Sequence, residues 1–337
     1  MSEIRHFLGT DHWSDAEILA LLERARELKR SPGGTELAGR ILAMVFFNPS
    51  LRTRASFEAA MLRHGGHAIL LEPGKGVWGF ETRPGVVMDG GAAEHLVEAA
   101  AVIGRYADAV AVRAFPAGTD REAAFADPVL RGFAEHAGVP VINMESARRH
   151  PCQGLADALT IQERLGPGPR GARFVLSWTW HPSPLPTAVP VSAALNAARL
   201  GMEVTLAHPP GWELDPEDME AIRAAAGRSG GSVEVAHDLD AALEGAHVVY
   251  AKSWGRLDLF GDPEAERAAR AAHRDWRIDG RRMGLTRDGR GLFMHCLPIR
   301  RNVVATDEVL DGPWSVVVDQ AENRLHVQRA VLLEVLP

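Results

Sequence analysis

At 337 residues the chain is too long for one ordinary core and reads as two α/β domains of roughly 150 residues each. With 46% hydrophobic residues, 24% charged and no apolar run near the ~18 residues of a spanning helix, the composition excludes a membrane role. A formal charge of -7 argues against nucleic acid as a partner, and two cysteines, Cys152 and Cys296, exclude a disulfide framework. The polar start "MSEIRHFLGTDHWSD" lacks the apolar core of a secretory signal, so a cytoplasmic location is expected.

In chain order, "SDAEILALLERARELKR" places Ser14 three residues before Glu17, a capping-box spacing that predicts the first helix. "RILAMVFF" has the length of a strand, and through "NPSLRT" it feeds "RASFEAAMLRHGG", where Phe57, Ala60 and Met61 share a helical face before Gly65 and Gly66. The alternation continues with the strand "HAILLE", a helix in "AEHLVEAAAVIGRYA", the strand "AVAVRAF", a helix near "AFADPVLRGFAEHAG" and the strand "VPVINM". After "HPCQGLADALTIQERLG" a second series begins, "RFVLSWTW", "AVPVSAALNAARLG", "EVTLAHP", "DPEDMEAIRAAAGRSGG", "SVEVAH", "HVVYAKSW" and, beyond a polar stretch without clear periodicity, "GLFMHCLP". Two doubly wound parallel-sheet domains of the α/β class follow from this order, 1–149 and 150–321, with the final helix, 322–337, returning to the first.

Ser50 and Thr53 sit at a strand-to-helix turn, where unpaired N–H groups and the helix dipole suit an anion, and Arg52 adds a planar fork fit for phosphate. Arg113 ends an apolar strand, His150 and Gln153 follow another, and Cys296, Leu297 and Arg300 follow a third. Ligands in open parallel sheets bind at these carboxyl ends. Two other readings compete. "GKGVWG" has the G-x-G-x-x-G spacing at Gly74, Gly76 and Gly79, yet it opens no convincing helix. His150, Cys152, His295 and Cys296 are zinc-ligand types without zinc-ligand spacing, so no metal and no cofactor is expected.

With "FFNPSLRTRASFE", "HPCQ" and "HCLP" the chain resembles the transcarbamylases, of the aspartate/ornithine carbamoyltransferase fold, and "NMESARRHPCQ", "VVYAKSWG" and "FMHCLPIRRNVVATDEV" look most like the branch that uses N-acylated ornithines. The resemblance implies that Ser50, the Leu51 backbone, Arg52, Thr53, Arg113, His150, Gln153, Cys296, Leu297 and Arg324 hold carbamoyl phosphate. Thr53, Arg113, His150 and Arg300 form the catalytic set. It further implies that Ala93, Glu145, His181, Leu185, Lys252, Leu297 and Arg300 line the amino-acid site, with Lys252 facing the α-carboxylate. Trp78 would reach the phosphate site of a neighbouring subunit, which implies a homotrimer with shared sites. A non-catalytic phosphate- or metabolite-binding protein on the same scaffold stays open.

Three positions depart from the N-acetylornithine pattern: Ala93 stands for a glutamate, Pro186 for an asparagine and Val304 for a lysine. Alanine removes the repulsion that a glutamate would exert on a second substrate carboxylate, so the expectation leans to N-succinylornithine over N-acetylornithine.

Overall fold

The structure, a computed structural model, describes residues 4–336. The chain forms two compact units. One comprises the residues up to Ala117, Glu122–Cys152 and the residues from Arg324 onward; the other comprises Gly118–Arg121 and Gln153–Asn323.

The first unit runs α1 (Asp15–Lys29), β1 (Ile41–Phe46), α2 (Leu51–Leu62), β2 (His67–Leu71), β3 (Phe80–Glu81), β4 (Glu94–His95), α3 (Leu96–Tyr106), β5 (Ala109–Arg113), α4 (Arg121–Phe125), α5 (Pro128–His136) and β6 (Val141–Glu145). Its main sheet has the order β2-β1-β5-β6, all parallel. β5 and β6 are buried along their whole length, which is why they read as unbroken apolar runs. Val45, Val110, Val112 and Val141 pack there with Leu96 of α3 and Phe133 of α5.

Two expectations shift here. The helix foreseen in "AEHLVEAAAVIGRYA" starts only at Leu96, because Glu94 and His95 pair with Phe80 and Glu81 and the His95 ring caps the amide of Val97 at 3.2 Å. The helix foreseen near "AFADPVLRGFAEHAG" is two helices. Pro128 brings no N–H and biases the residue before it away from helix, and Asp127 takes a left-handed φ of 51°. The Asp127 carboxylate accepts from the Ser146 hydroxyl and the Ala147 amide, and burial pushes its pKa up.

The second unit continues with α6 (Pro151–Leu165), β7 (Arg173–Trp178), α7 (Ala188–Arg199), β8 (Glu203–Ala207), α8 (Pro216–Ser229), β9 (Ser232–Ala236), α9 (Leu239–Leu243), β10 (Val248–Lys252), α10 (Pro263–Arg270), α11 (Gly280–Met283), β11 (Leu292–Met294), α12 (Asp307–Asp311) and α13 (Val317–Val335). Its parallel sheet has the order β11-β10-β7-β8-β9. A Cβ on Gly154 would meet Asn196 Nδ2 at 2.5 Å and the Ser192 carbonyl oxygen at 2.8 Å, so glycine lets α6 lie against α7. α6 starts in the first unit and continues in the second, and α13 runs the other way, beginning five residues before the final helix expected from sequence. Among the described residues no helix is long and apolar enough to cross a membrane.

Strand order reverses between β1 and β5 in one unit and between β7 and β10 in the other. Ligands of open α/β sheets bind at such points, outside the carboxyl ends of the strands.

Candidate active site

In the first unit β1 delivers Ser50 and Thr53 to its carboxyl end. Ser50 is the N-cap of α2: its hydroxyl accepts from the Thr53 amide at 3.3 Å and donates to Thr53 Oγ1 at 2.9 Å. That cap leaves the first-turn amide of Leu51 without a helical acceptor. Thr53 is wholly buried, and Arg324 of α13 donates to its Oγ1 at 2.6 Å. Asn48 holds the end of β1 against that of β5 by accepting from the Phe115 amide at 2.7 Å.

Arg113, the last residue of β5, makes a buried ion pair with Glu145, the last residue of β6. Its guanidinium lies 4.6 Å from the Phe115 ring centroid, and His150 Nε2 sits 3.4 Å from the same Glu145 oxygen. Glu145, expected in the amino-acid set, stands beside Arg113 and His150, both expected in the carbamoyl-phosphate set. Burial lowers the pKa of Arg324, and the positive charges of Arg113 and Arg52 act the same way against Cys152 and Glu145. Arg324 thus feels two other guanidinium charges, one of which, that of Arg113, is paired with Glu145. The Nε–H donors of Arg113 and Arg324 are buried and meet no protein acceptor. Cys152 beside them is fully buried, which pushes its thiol up to about 12, away from a reactive thiolate.

Trp78 is 60% exposed and donates to Glu94 at 2.6 Å; Ala93, the neighbour of Glu94, is exposed too. Leu51 also turns its side chain outward, consistent with a role confined to its backbone.

In the second unit β7 and β10 pair at their last residues, Trp178 and Lys252. Lys252 is 8% exposed, and no carboxylate among the described residues pairs with it. His181, on the loop after β7, accepts a hydrogen bond from Arg300 Nε at 3.0 Å through Nε2. With Nε2 accepting, a neutral ring carries its proton on Nδ1, which lies 2.8 Å from the Ser183 carbonyl oxygen; the Ser183 amide approaches the same nitrogen at 3.1 Å, the weaker of the two contacts. Burial lowers the His181 pKa, partly opposed by the bond to Ser183 and reinforced by the charges of Lys252, Arg300 and Arg270. Leu185, half-buried on the same loop, accepts from the Gly255 amide at 3.0 Å, linking that loop to the one after β10. After β11, Leu297 adopts a left-handed φ of 56° and its amide donates to His295 Nδ1 at 2.8 Å, so the chain around half-buried Cys296 is turned sharply.

The two units are each matched by a model of one family: the carbamoyl-P binding domain of aspartate/ornithine carbamoyltransferases over residues 5–163, and their Asp/Orn binding domain over 187–335. The chain belongs to the aspartate/ornithine carbamoyltransferase family. It is 51% identical to the N-acetylornithine carbamoyltransferase of Xanthomonas campestris pv. campestris over 98% of this chain and 97% of that one. Identity to the N-succinylornithine carbamoyltransferase of Bacteroides fragilis is 39% over 85% and 84%. A crystal structure of acetylornithine transcarbamylase with acetylcitrulline superimposes with a TM-score of 0.96 at 50% identity, covering 99% of this chain and all of that one.

Sequence reasoning missed a buried network within the second unit of this carbamoyltransferase. Gln153 donates to Asp157 at 2.7 Å, Gln320 of α13 donates to the same oxygen at 2.6 Å, and the Gln320 carbonyl accepts from the His295 amide at 3.0 Å. Gln153 Oε1 remains buried without a protein donor. The i, i+4 spacing of Gln153 and Asp157 was the available signal. The four-residue-spaced pair Glu266 and Arg270 of α10 was missed as well.

Proposed function

We propose that the protein transfers the carbamoyl group of carbamoyl phosphate to the side-chain amine of an N-acylated L-ornithine, giving the N-acyl-L-citrulline and phosphate in arginine biosynthesis. The observation that carries this reading is that Arg324, bonded to Thr53, lies close enough to Arg113 and Arg52 to feel their charge, while the buried Nε–H donors of Arg113 and Arg324 meet no protein acceptor. A dianionic phosphate supplies the acceptors such donors need. The first-turn amides of α2 and the Ser50 hydroxyl, once it turns from Thr53, add uncharged donors to the same anion, and the single Thr53 hydroxyl proton is shared between the phosphate and carbonyl oxygens.

The amine lone pair attacks the carbonyl carbon, the bond from that carbon to the phosphate oxygen breaks, and the departing phosphate takes the amine proton. Arg113, Thr53 and His150 donate to the carbonyl oxygen as it gains charge. Gln153 Oε1 and the backbone carbonyls turned out at Cys296 and Leu297 accept from the carbamoyl NH2. Lys252, a nearly buried cation without a carboxylate partner, takes the α-carboxylate, with Arg300 and His181 beside it. Trp78, a large aromatic left 60% exposed, completes the site of a neighbouring subunit in a trimer. Hybrid oligomers of inactive Arg113→Ala and inactive Trp78→Ala chains then recover activity; hybrids that form and stay inactive refute the sharing.

N-acetyl-L-ornithine is the favoured acceptor. The relatives named for it are 46 to 51% identical, against 39% for those named for the succinyl substrate, so the leaning towards N-succinylornithine finds no support in relatedness. A second reading keeps the succinyl substrate in view for one reason. An N-acetylornithine transcarbamylase with a single glutamate changed to alanine, proline, serine or valine is known in complex with carbamoyl phosphate and N-succinyl-L-norvaline. This chain carries Ala93 where the acetyl pattern expects glutamate. A colorimetric assay of carbamoylated product with N-acetylornithine, N-succinylornithine and ornithine in parallel tests both readings. No turnover with any of the three refutes the proposal, and an Ala93→Glu variant with an unchanged succinyl-to-acetyl ratio removes the second reading.

A further inference from the structure

We propose that Arg270, clamped by Glu266, is a positioning residue that fixes the spacing between His181 and Lys252, and through it the recognition of the amino-acid substrate. The inference rests on the functional reading above and deepens it.

Both side chains lie inside the second unit, Arg270 at 1% and Glu266 at 2% exposure. All the donors of the guanidinium have acceptors. Nε donates to Glu266 Oε2 at 2.6 Å, and Nη2 reaches the other Glu266 oxygen and the Trp254 carbonyl at 3.4 Å. Nη1 donates to the carbonyl oxygens of His181 at 2.7 Å and Ser183 at 3.1 Å, with Ser253 Oγ at 3.5 Å. These acceptors fall on two loops only: His181 and Ser183 follow β7, and Ser253 and Trp254 follow β10. The two strands are neighbours that flank the reversal of strand order. The first loop carries His181, and Lys252, the last residue of β10, stands directly before Ser253 of the second.

Stability alone does not call for this arrangement. A buried ion pair gains little over a well-packed apolar pair of similar volume, since its desolvation cost consumes the attraction. An apolar pair cannot, however, orient carbonyl groups on two separate loops. Lysine cannot do it either, because it lacks the planar fork that holds Glu266 with one edge and the loops with the other. The consequence extends one residue further, as His181 accepts from Arg300. One guanidinium therefore sets where three groups, His181, Arg300 and Lys252, stand relative to one another. The Trp178 and Trp254 indoles stiffen the same loops by donating to the carbonyls of Trp254 at 3.0 Å and Trp212 at 2.8 Å.

Two variants test the idea, Arg270→Lys and the paired Glu266→Met/Arg270→Met, which leaves no orphaned charge. Each is expected to raise the KM for the acylornithine about ten-fold or more while the KM for carbamoyl phosphate stays within about two-fold. Nitrogen NMR of His181 supplies a readout apart from turnover: the wild type holds the proton on Nδ1, and the paired variant loses that single tautomer. A folded variant of either kind with wild-type KM values and an unchanged His181 tautomer overturns the positioning role. Absence of any carbamoyl transfer by the wild type overturns the functional reading itself, a different and separately visible failure.

Discussion

Charge organises the phosphate side of the first unit, whereas hydrogen-bonded loops braced on aromatic rings organise the amino-acid side of the second. In the first, buried Arg324 feels the charges of Arg113, Glu145 and Arg52, Arg113 pairs with Glu145, and wholly buried Thr53 accepts from Arg324. In the second, His181 stands on the loop after β7 and Lys252 at the end of β10, near Trp178, Trp212, Trp254 and Trp276, whose rings pack at centroid distances of 5.0 Å for Trp178 with Trp212 and 6.2 Å for Trp178 with Trp276. Charge at close quarters is unforgiving. A loop held by hydrogen bonds can change its contacts without dismantling the core behind it, which suits a family whose members share carbamoyl phosphate and differ in the amine they accept.

The contrast breaks most visibly at Arg52. Arg52→Ala is expected to lower kcat about 10²- to 10³-fold, the usual effect of losing one donor to developing charge, with a far smaller change in Tm. Steady-state kinetics at saturating substrates check this, and activity within ten-fold of wild type would show that phosphate is held elsewhere. Lys252→Met is expected to act on one substrate. The KM for the acylornithine rises about 10- to 100-fold, as for the loss of a charge-assisted bond of roughly 1.5–3 kcal/mol, and carbamoyl phosphate binding measured by calorimetry stays put.

Acid sharpens the comparison further. His181, His208, His247 and His273 of the second unit have pKa values lowered first of all by burial, as does His6 of the first. An unfolded histidine binds its proton near pH 6.5, so between that value and the lower folded values the unfolded chain holds more protons. Stability is therefore full above pH 6.5 and is lost as pH falls below it. Six of the eight tryptophans, at 178, 180, 212, 254, 276 and 314, lie in the second unit. Urea midpoints followed by tryptophan fluorescence should drop between about pH 6.5 and 5; a flat midpoint contradicts the assignment. The smallest effect is reserved for Cys296→Ser, which should stay within about three-fold of wild type because transfer to an amine needs no thiolate nucleophile. A carbamoyl adduct on Cys296 seen by mass spectrometry would overturn that.

The same contrast governs what the sequence discloses. "NPSLRT" writes most of the phosphate side contiguously, because a helix N-terminus is a local structure whose cap and anion donors are neighbours in the chain. The central strands were legible because parallel sheets bury both faces. The break between α4 and α5 was overlooked although Pro128 marks it, and the start of α3 was missed because the β3–β4 pairing competes with helix across a loop. Residues 255–291 gave no periodicity: α10 and α11 are short and are set by aspartate caps, Asp262 accepting from the Ala265 amide and Asp279 from the Arg282 amide. Arg270 was illegible for a deeper reason. Most of its partners are backbone carbonyls up to 89 positions away, and carbonyls leave no mark on a sequence.

Arg324 reaches Thr53 across 271 positions of chain. At about 5–20 residues per second, a ribosome that has just made Thr53 works for roughly 15–50 s before it makes Arg324. Throughout that time the nascent chain owns a strand-to-helix turn, and later Arg113 and Glu145, without the third guanidinium. Arg329, a turn and a half further along α13, donates to Leu28, Ser31 and His64 and so fastens the late helix to the earliest elements. The surroundings of Thr53 are consequently assembled from early and late parts of the molecule, and a chain interrupted just before α13 already holds His181, Lys252 and Arg300 while it still lacks Arg324.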